Sequence, residues 1–261
     1  NSLTYEYFMA TAYQTSPYHH PIIGWMNDIK NCTLADLQEW YQHWYAPNNA
    51  TLVVVGDVAP QAVFDLAKQH FGPLKPSQIA PAVAPPEAEQ YGIKRLTVKR
   101  PAKLPYLIMG YKVPVLTTIA KADQGEIYAL EVLSYLLDGG NSARLTKNLV
   151  RGQQLATSVS ASYDFSSRLS ELFTFSGIPT DKHTVVELEH AIREQIKQLQ
   201  TTQVATDELD KIKTQLRAAK VYELDSIFYQ GMQIGRFQTV GLDWRLLDSY
   251  LDNIAKVTPA Q

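Results

Sequence analysis

Between Pro73 and Gly92 the chain reads PLKPSQIAPAVAPPEAEQYG, with Pro73, Pro76, Pro81, Pro85 and Pro86 set among Ala, Ser and Gln. Each proline fixes φ and lacks an amide donor, so this stretch can join neither a helix interior nor a central strand and is expected to be an extended connector. It divides the 261 residues into a first part, 1–72, and a second, 93–261, joined by the linker 73–92. At 45% hydrophobic and 19% charged residues, both parts can bury a core. A formal charge of −2 gives no field that would draw nucleic acid or an anionic membrane surface. The longest apolar runs, such as Leu52 to Val55, fall far short of the ~20 residues of a membrane span. Cys32 is the only cysteine, which excludes an intrachain disulfide and a multi-thiolate metal site and leaves the compartment, periplasmic or cytoplasmic, open.

Periodicity places the elements. Thr33 with Asp36 three residues on reads as a capped helix start before LQEWYQHWY, ended by Pro47 and two Asn residues. Ala50 to Val55 is β-branched and apolar, as in a strand buried on both sides, and Pro60 opens a further helix with Val63, Leu66 and Ala67 on one face. Beyond the linker, Arg95 to Val115 alternates as two interrupted strands, and Ile127, Leu130, Leu133 and Leu137 recur at helical spacing until Gly139 and Gly140 stop the helix. Asn141 or Ser142 caps a helix to about Arg151, and 157–165 with 169–177 form an antiparallel pair. Two long helices follow, one with the stripe Val185, Leu188, Ile192, Ile196 and Leu199, the other capped by Thr206; the remainder to Ile254 is helical with a break near Gly241. Strands grouped together and helices grouped together make the fold class α+β.

The two ends of the chain repeat. Shifted by 225 residues, DIKNCTLADL falls on NIAKVTPAQ, with Ile29 on Ile254, Thr33 on Thr258 and Ala35 on Ala260. Each Thr stands where an N-cap belongs, and Pro259 takes the first helical position, where its missing amide costs nothing. The second copy stops at Gln261, so the C-terminus is expected to be truncated.

The segments SPYHHPIIGWMNDI (16–29), LADLQEWYQHWYAPNNATLVVVGDV (34–58), LLDGGNSARLTKNLV (136–150) and QLATSVSASYD (154–164), in that order, resemble the pitrilysin or insulinase family of zinc peptidases, the inverzincins, with its mitochondrial-processing-peptidase-like bacterial members. The resemblance implies tandem α+β repeats, each an antiparallel sheet with helices packed on one face, enclosing a peptide-binding chamber. In that frame 1–72 is the C-terminal part of an incomplete first repeat and 93–261 most of a second, non-catalytic one.

The family's catalytic motif is His-x-x-Glu-His on a helix, two His holding zinc while the Glu acts as general base on the metal-bound water, with a further Glu ligand downstream. None of His19, His20, His43, His70, His183 and His190 has that spacing. On the corresponding helix Leu130, Leu133 and Ser134 fall at the His, Glu and His positions, and Gln215 falls at the third ligand. The chain is therefore expected to supply no catalytic residue and no metal ligand. Zinc would belong to the parent protein, with a peptide or small protein as substrate. Some members set an Arg and a Tyr seven residues apart against the substrate carbonyl; VRGQQLAT has Val150 and Thr157 there, with Arg151 displaced by one, which leaves Arg151 as the one candidate substrate-binding residue.

Other residues read plainly. His19 and His20 lie between Pro17 and Pro21, as in a surface turn; His183 and His190 flank Glu187 as solvated helix groups; Cys32 has no partner motif; and Gly139 and Gly140 lack the pattern of a phosphate loop. The resulting expectation is a piece of a zinc-dependent metallopeptidase forming a wall of the chamber, completed by the missing catalytic part of its first repeat. The alternative is a scaffold or substrate-binding subunit of the same family that pairs with an active subunit.

Overall fold

The computed structural model describes residues 2–80 and 84–261, so Pro81 of the connector lies outside the described residues. Nine α-helices and three strands follow in order among them: α1 (Ser2–Ala12), α2 (Met26–Asn31), α3 (Leu34–Trp44), α4 (Pro60–Phe71), β1 (Leu107–Val113), α5 (Gln124–Asp138), β2 (Ala156–Ser162), β3 (Glu171–Pro179), α6 (Val185–Thr201), α7 (Thr206–Glu223), α8 (Ile227–Val240) and α9 (Leu246–Lys256). The strands form one antiparallel sheet in the order β1-β3-β2, with Tyr111 opposite Phe173 and Ala161 opposite Phe175. No helix among the described residues is long and apolar enough to cross a membrane.

The sheet is amphipathic because successive strand residues face opposite ways. Phe173 and Phe175 of β3 join one core with Ile127 and Leu137 of α5, Leu188 and Ile192 of α6, Ile212 and Leu216 of α7, Phe237 of α8 and Ile254 of α9. Gly177 lets α6 approach the sheet closely: a Cβ there would meet Leu188 Cδ2 at 3.0 Å and the Ser158 carbonyl oxygen at 3.1 Å. On the Leu172 side of the sheet, Phe8 of α1 lies over Gly110, where a Cβ would come within 3.0 Å of its ring.

The core sits almost wholly in the second part. Before Leu107 only Tyr13, Ser16 and Ala46 are buried among the described residues. The segment around Tyr13 belongs to the second part by contact: the Tyr13 hydroxyl donates to the Ser170 carbonyl, and the Leu169 amide donates to the Tyr18 hydroxyl at 3.2 Å. The connector is strapped beside it. Glu87 accepts from the backbone N–H groups of Gln14, Thr15 and Ser16 and from Lys112 Nζ at 2.6 Å. Burial alone would push its carboxyl up, but those donors hold it at about 2. A little further on, Arg95 makes a bidentate pair with Glu189 of α6 at 2.6 and 2.8 Å.

Several expectations meet corrections. Ala50 to Val55 is extended but pairs with no strand, and Leu52 stays 60% exposed; an apolar β-branched run becomes a strand only where another strand supplies the ladder, and none of the described strands lies beside it. Instead Val55 and Val53 lie along α8, 3.6 and 3.5 Å from where Gly231 and Gly235 would carry a Cβ. The stretch 95–115 forms one strand, β1, because Arg100, Pro101, Lys103 and Pro105 interrupt the alternation ahead of it. The helix expected from Asn141 is a turn leading into π-helical backbone at Thr146–Gly152, which ends at Gly152, with Gln154 at φ 52° in the loop beyond it. Thr206 stands at the first position of α7 rather than capping it, since Ala205 is the cap. The break expected near Gly241 is there: Gly241 ends α8 in the left-handed conformation, φ 90°.

The shifted ends share geometry beyond their letters. Moved by 225 residues, α1 falls on 227–237, inside α8, and α2 falls on 251–256, the end of α9. Thr33 donates through its amide and hydroxyl to Asp36 at 2.8 and 2.7 Å, and Thr258 donates likewise to the Gln261 side chain at 2.9 and 3.1 Å.

Candidate functional site

The helix that the sequence resemblance sets against the family's motif-bearing one is α5, and the structure makes it a core helix. Ile127 and Leu137 are fully buried, and Leu130 and Leu133 pack half-buried against the same core. Ser134 is buried and turns its hydroxyl back onto the Glu131 carbonyl at 2.8 Å. On α7, Gln215 is half-buried. Two aliphatic side chains have no lone pair to give a metal, and the one hydroxyl is committed to its own helix, so these positions do not fit zinc. No group of three or more His, Cys, Asp or Glu among the described residues could hold a metal ion.

Arg151 lies in the last turn of the π-helical segment, exposed, with no carboxylate paired to it among the described residues. His19 and His20 stack with ring centroids 3.9 Å apart; His19 Nδ1 faces the Ser16 carbonyl, and His20 Nδ1 accepts from the Trp25 indole at 2.9 Å. His183 and His190 share a cleft of about 430 Å³ along α6 with Glu187 and Glu194. There Glu187 completes a capping box with Thr184, its carboxylate accepting the Thr184 amide at 2.6 Å, and His183 Nδ1 stands 3.7 Å from Glu187. Gly139 donates its amide to Tyr135 as the helix end, and Cys32 is exposed.

What the structure assembles instead is a polar cavity of about 180 Å³ where α5, α7, α8 and α9 meet the segment 163–166. Glu131 lines it from α5, 8% exposed, and accepts from the Tyr250 hydroxyl of α9 at 3.2 Å. Burial pushes its carboxyl up to about 7, the charges of Asp164 and Glu223 adding to the rise while Tyr250 and Lys220 oppose it. Lys220 pairs with Glu223 at 3.0 Å and lies over the rings of Tyr229 and Tyr250, 5.9 and 5.6 Å from their centroids. Arg236 pairs with Asp164 at the rim. Sequence reasoning passed over Glu131, although a signal was present: it is the one acidic residue within the run IYALEVLSYLL, inside the apolar stripe.

The comparisons fit this picture. A family profile described as "Peptidase M16 inactive domain" matches residues 31–216. The zinc protease PqqE of Helicobacter pylori is 36% identical over 232 residues, covering 86% of this chain and 50% of that protein. Among solved structures, a protease from Helicobacter pylori superposes with a TM-score of 0.87 at 30% identity, covering 99% of this chain and 61% of that one. The peptidase M16 inactive domain from Pseudomonas fluorescens superposes with a TM-score of 0.82 at 20% identity, covering 99% and 60%. The chain spans about half the length of the curated relatives it matches. Its α+β architecture, the family profile over 31–216 and its sequence likeness to a zinc protease lead to one assignment: the chain belongs to the peptidase M16, or pitrilysin-type, family of zinc peptidases, and it lacks that family's zinc motif.

Proposed function

We propose that this chain is the non-catalytic part of a zinc-dependent metallopeptidase that hydrolyses peptide bonds, forming one wall of the peptide-binding chamber. The observation that carries this reading is α5, whose ligand positions hold Leu130, Leu133 and Ser134 in a chain otherwise like zinc proteases. Zinc and its activated water then belong to groups outside this chain, and no chemical step is assigned to its residues.

Residues 1–72 are, on this reading, the later part of a first repeat, and 73–92 the tether between repeats. The support is the exposed apolar surface of that region: Trp40 of α3 is 56% exposed and Phe64 of α4 67%. Large apolar side chains exposed on amphipathic helices of this kind fit a face that packs against something. Its partner is the missing catalytic part of the same repeat, and the substrate is a peptide or small protein. Arg151, on an exposed turn, is retained as the one proposed substrate contact from this chain.

Assay of the full-length protein tests the reading. Peptidase activity should disappear on exhaustive chelation and return with zinc, while the 261-residue chain alone hydrolyses no peptide and binds no stoichiometric zinc. Activity that survives complete metal removal contradicts it. A second reading, a scaffold or substrate-binding subunit that pairs with an active one, is favoured by the profile matching 31–216 being that of an inactive domain. It predicts that the full-length protein is inert until a separate catalytic subunit is added.

A further inference from the structure

We propose that Glu131, Lys220 and Tyr250 form a proton-operated latch joining α5, α7 and α9. With Glu131 protonated the latch is closed, Lys220 stays with Glu223, and α9 is seated on α5. When Glu131 releases its proton to water in the cavity, two carboxylates compete for one ammonium, and α9 opens more readily.

The geometry supplies each part. Glu131 is 8% exposed, and its carboxyl reaches the hydroxyl of Tyr250, itself 6% exposed, at 3.2 Å. An ionised carboxylate at such a place loses its hydration unless a cation or water replaces it. The candidate cation is already engaged: Lys220 Nζ lies 3.0 Å from Glu223 and over the Tyr250 ring at 5.6 Å. Water has a way in, because the adjoining cavity of about 180 Å³ ends at Arg236 and Asp164, whose side chains are 47% and 38% exposed. α9 is held at this point by few buried groups, Tyr250 and Ile254.

Every charged or titratable group facing Glu131 belongs to the balance. Tyr135 shares its helix; Lys220 and Glu223 come from α7; Tyr229 and Arg236 from α8; Tyr250 from α9; Tyr163 and Asp164 from the segment after β2. Asp164 and Glu223 disfavour a charge on Glu131, whereas Lys220 favours it. The burial that dominates this balance keeps the proton on Glu131 up to about pH 7. In the opened state the carboxyl returns to the ordinary range of about 4.3. The sign follows. The closed state binds the proton more tightly, so the latch is tightest at acid pH, loosens between about pH 4.3 and 7, and loosens no further above that window.

Carbon-13 titration of the Glu carboxyls in the 261-residue chain, run beside hydrogen exchange of the α9 amides at the same pH values, tests the latch. One carboxyl resonance, absent in Glu131→Gln, should titrate with a midpoint near 7. Exchange in α9, normalised to unstructured-peptide rates, should rise by up to about ten-fold per pH unit from about pH 5 to 7 and then level. In Glu131→Gln, a neutral isostere of the closed state, it should be flat, and Lys220→Met should move the Glu131 midpoint upward. A Glu131 midpoint in the ordinary carboxylate range, or a rise in α9 exchange that is equal in Glu131→Gln, overturns the latch. A midpoint unmoved in Lys220→Met removes Lys220 from it.

Discussion

Helices α4 and α6 are built on the same plan and meet opposite fates. Each carries apolar residues at helical spacing, yet Leu188 and Ile192 of α6 are fully buried against the sheet, while Phe64, Leu66 and Phe71 of α4 are 67, 56 and 53% exposed. The difference does not lie in the helices. α6 has β1 and β3 beneath it, with Gly177 trimmed to admit Leu188, whereas no described strand lies beneath α4. An amphipathic stripe states that a helix needs a partner; it does not state that the partner is in the same chain. The same holds for 50–55 against β3: both carry apolar residues suited to a strand, but only β3 has strands on both sides.

The largest test of this contrast is truncation in the two regions. Phe237→Ala, at 2% exposure in the core, should cost about 3–5 kcal/mol, and Phe64→Ala in α4 should cost less than about 0.5 kcal/mol, both read by chemical denaturation of the 261-residue chain. Similar losses at the two sites would break the comparison. Next in size are two capping boxes with the same local geometry. The Asp36 amide donates to Thr33 at 3.3 Å and the Glu187 amide to Thr184 at 3.2 Å. Thr184→Ala should lower global stability by about 1 kcal/mol, whereas Thr33→Ala should lower only local helicity and leave the main unfolding transition in place.

The strap that holds the connector should weaken in acid. The folded-state carboxyl of Glu87 is held at about 2, below its unfolded value, so its contribution is complete above about pH 4.3 and is lost as pH falls toward 2. Glu87→Gln should remove that part of the acid sensitivity, as measured by thermal melting at pH 5 and pH 3. The smallest effect is expected at Gly231, where an added Cβ would make ordinary contact with Val55 at 3.6 Å. Gly231→Ala should be neutral or stabilising by up to about 1 kcal/mol, because α8 gains a better helix former.

Much of the second region was legible from residues alone. The helix stop at Gly139 and Gly140, the break at Gly241, the stripe of α6 and the β2–β3 pair were legible, although the positive φ at the first stop falls on Gly140 and not Gly139. That the His-x-x-Glu-His motif is missing was equally legible, since it needs only the positions of six histidines. The cavity at Glu131 was not. Its members come from α5, α7, α8, α9 and the segment after β2, and no spacing within one helix reports such a meeting. Nor did periodicity foresee the π-helical turn at 146–152, which packs beside β2. The first region shows the complementary limit: Ala50 to Val55 has strand composition, but a strand is defined by its neighbour.

Hydrogen exchange across α3 and α4, measured in the 261-residue chain and again in the full-length protein, tests the central claim most directly. If these helices are one side of a repeat completed by the catalytic part, their amides exchange quickly in the short chain and become strongly protected in the long one, while α5 and α6 are protected in both. Equal exchange of α3 and α4 in the two proteins would contradict the account, because the apolar faces around Trp40 and Phe64 would then have gained no partner.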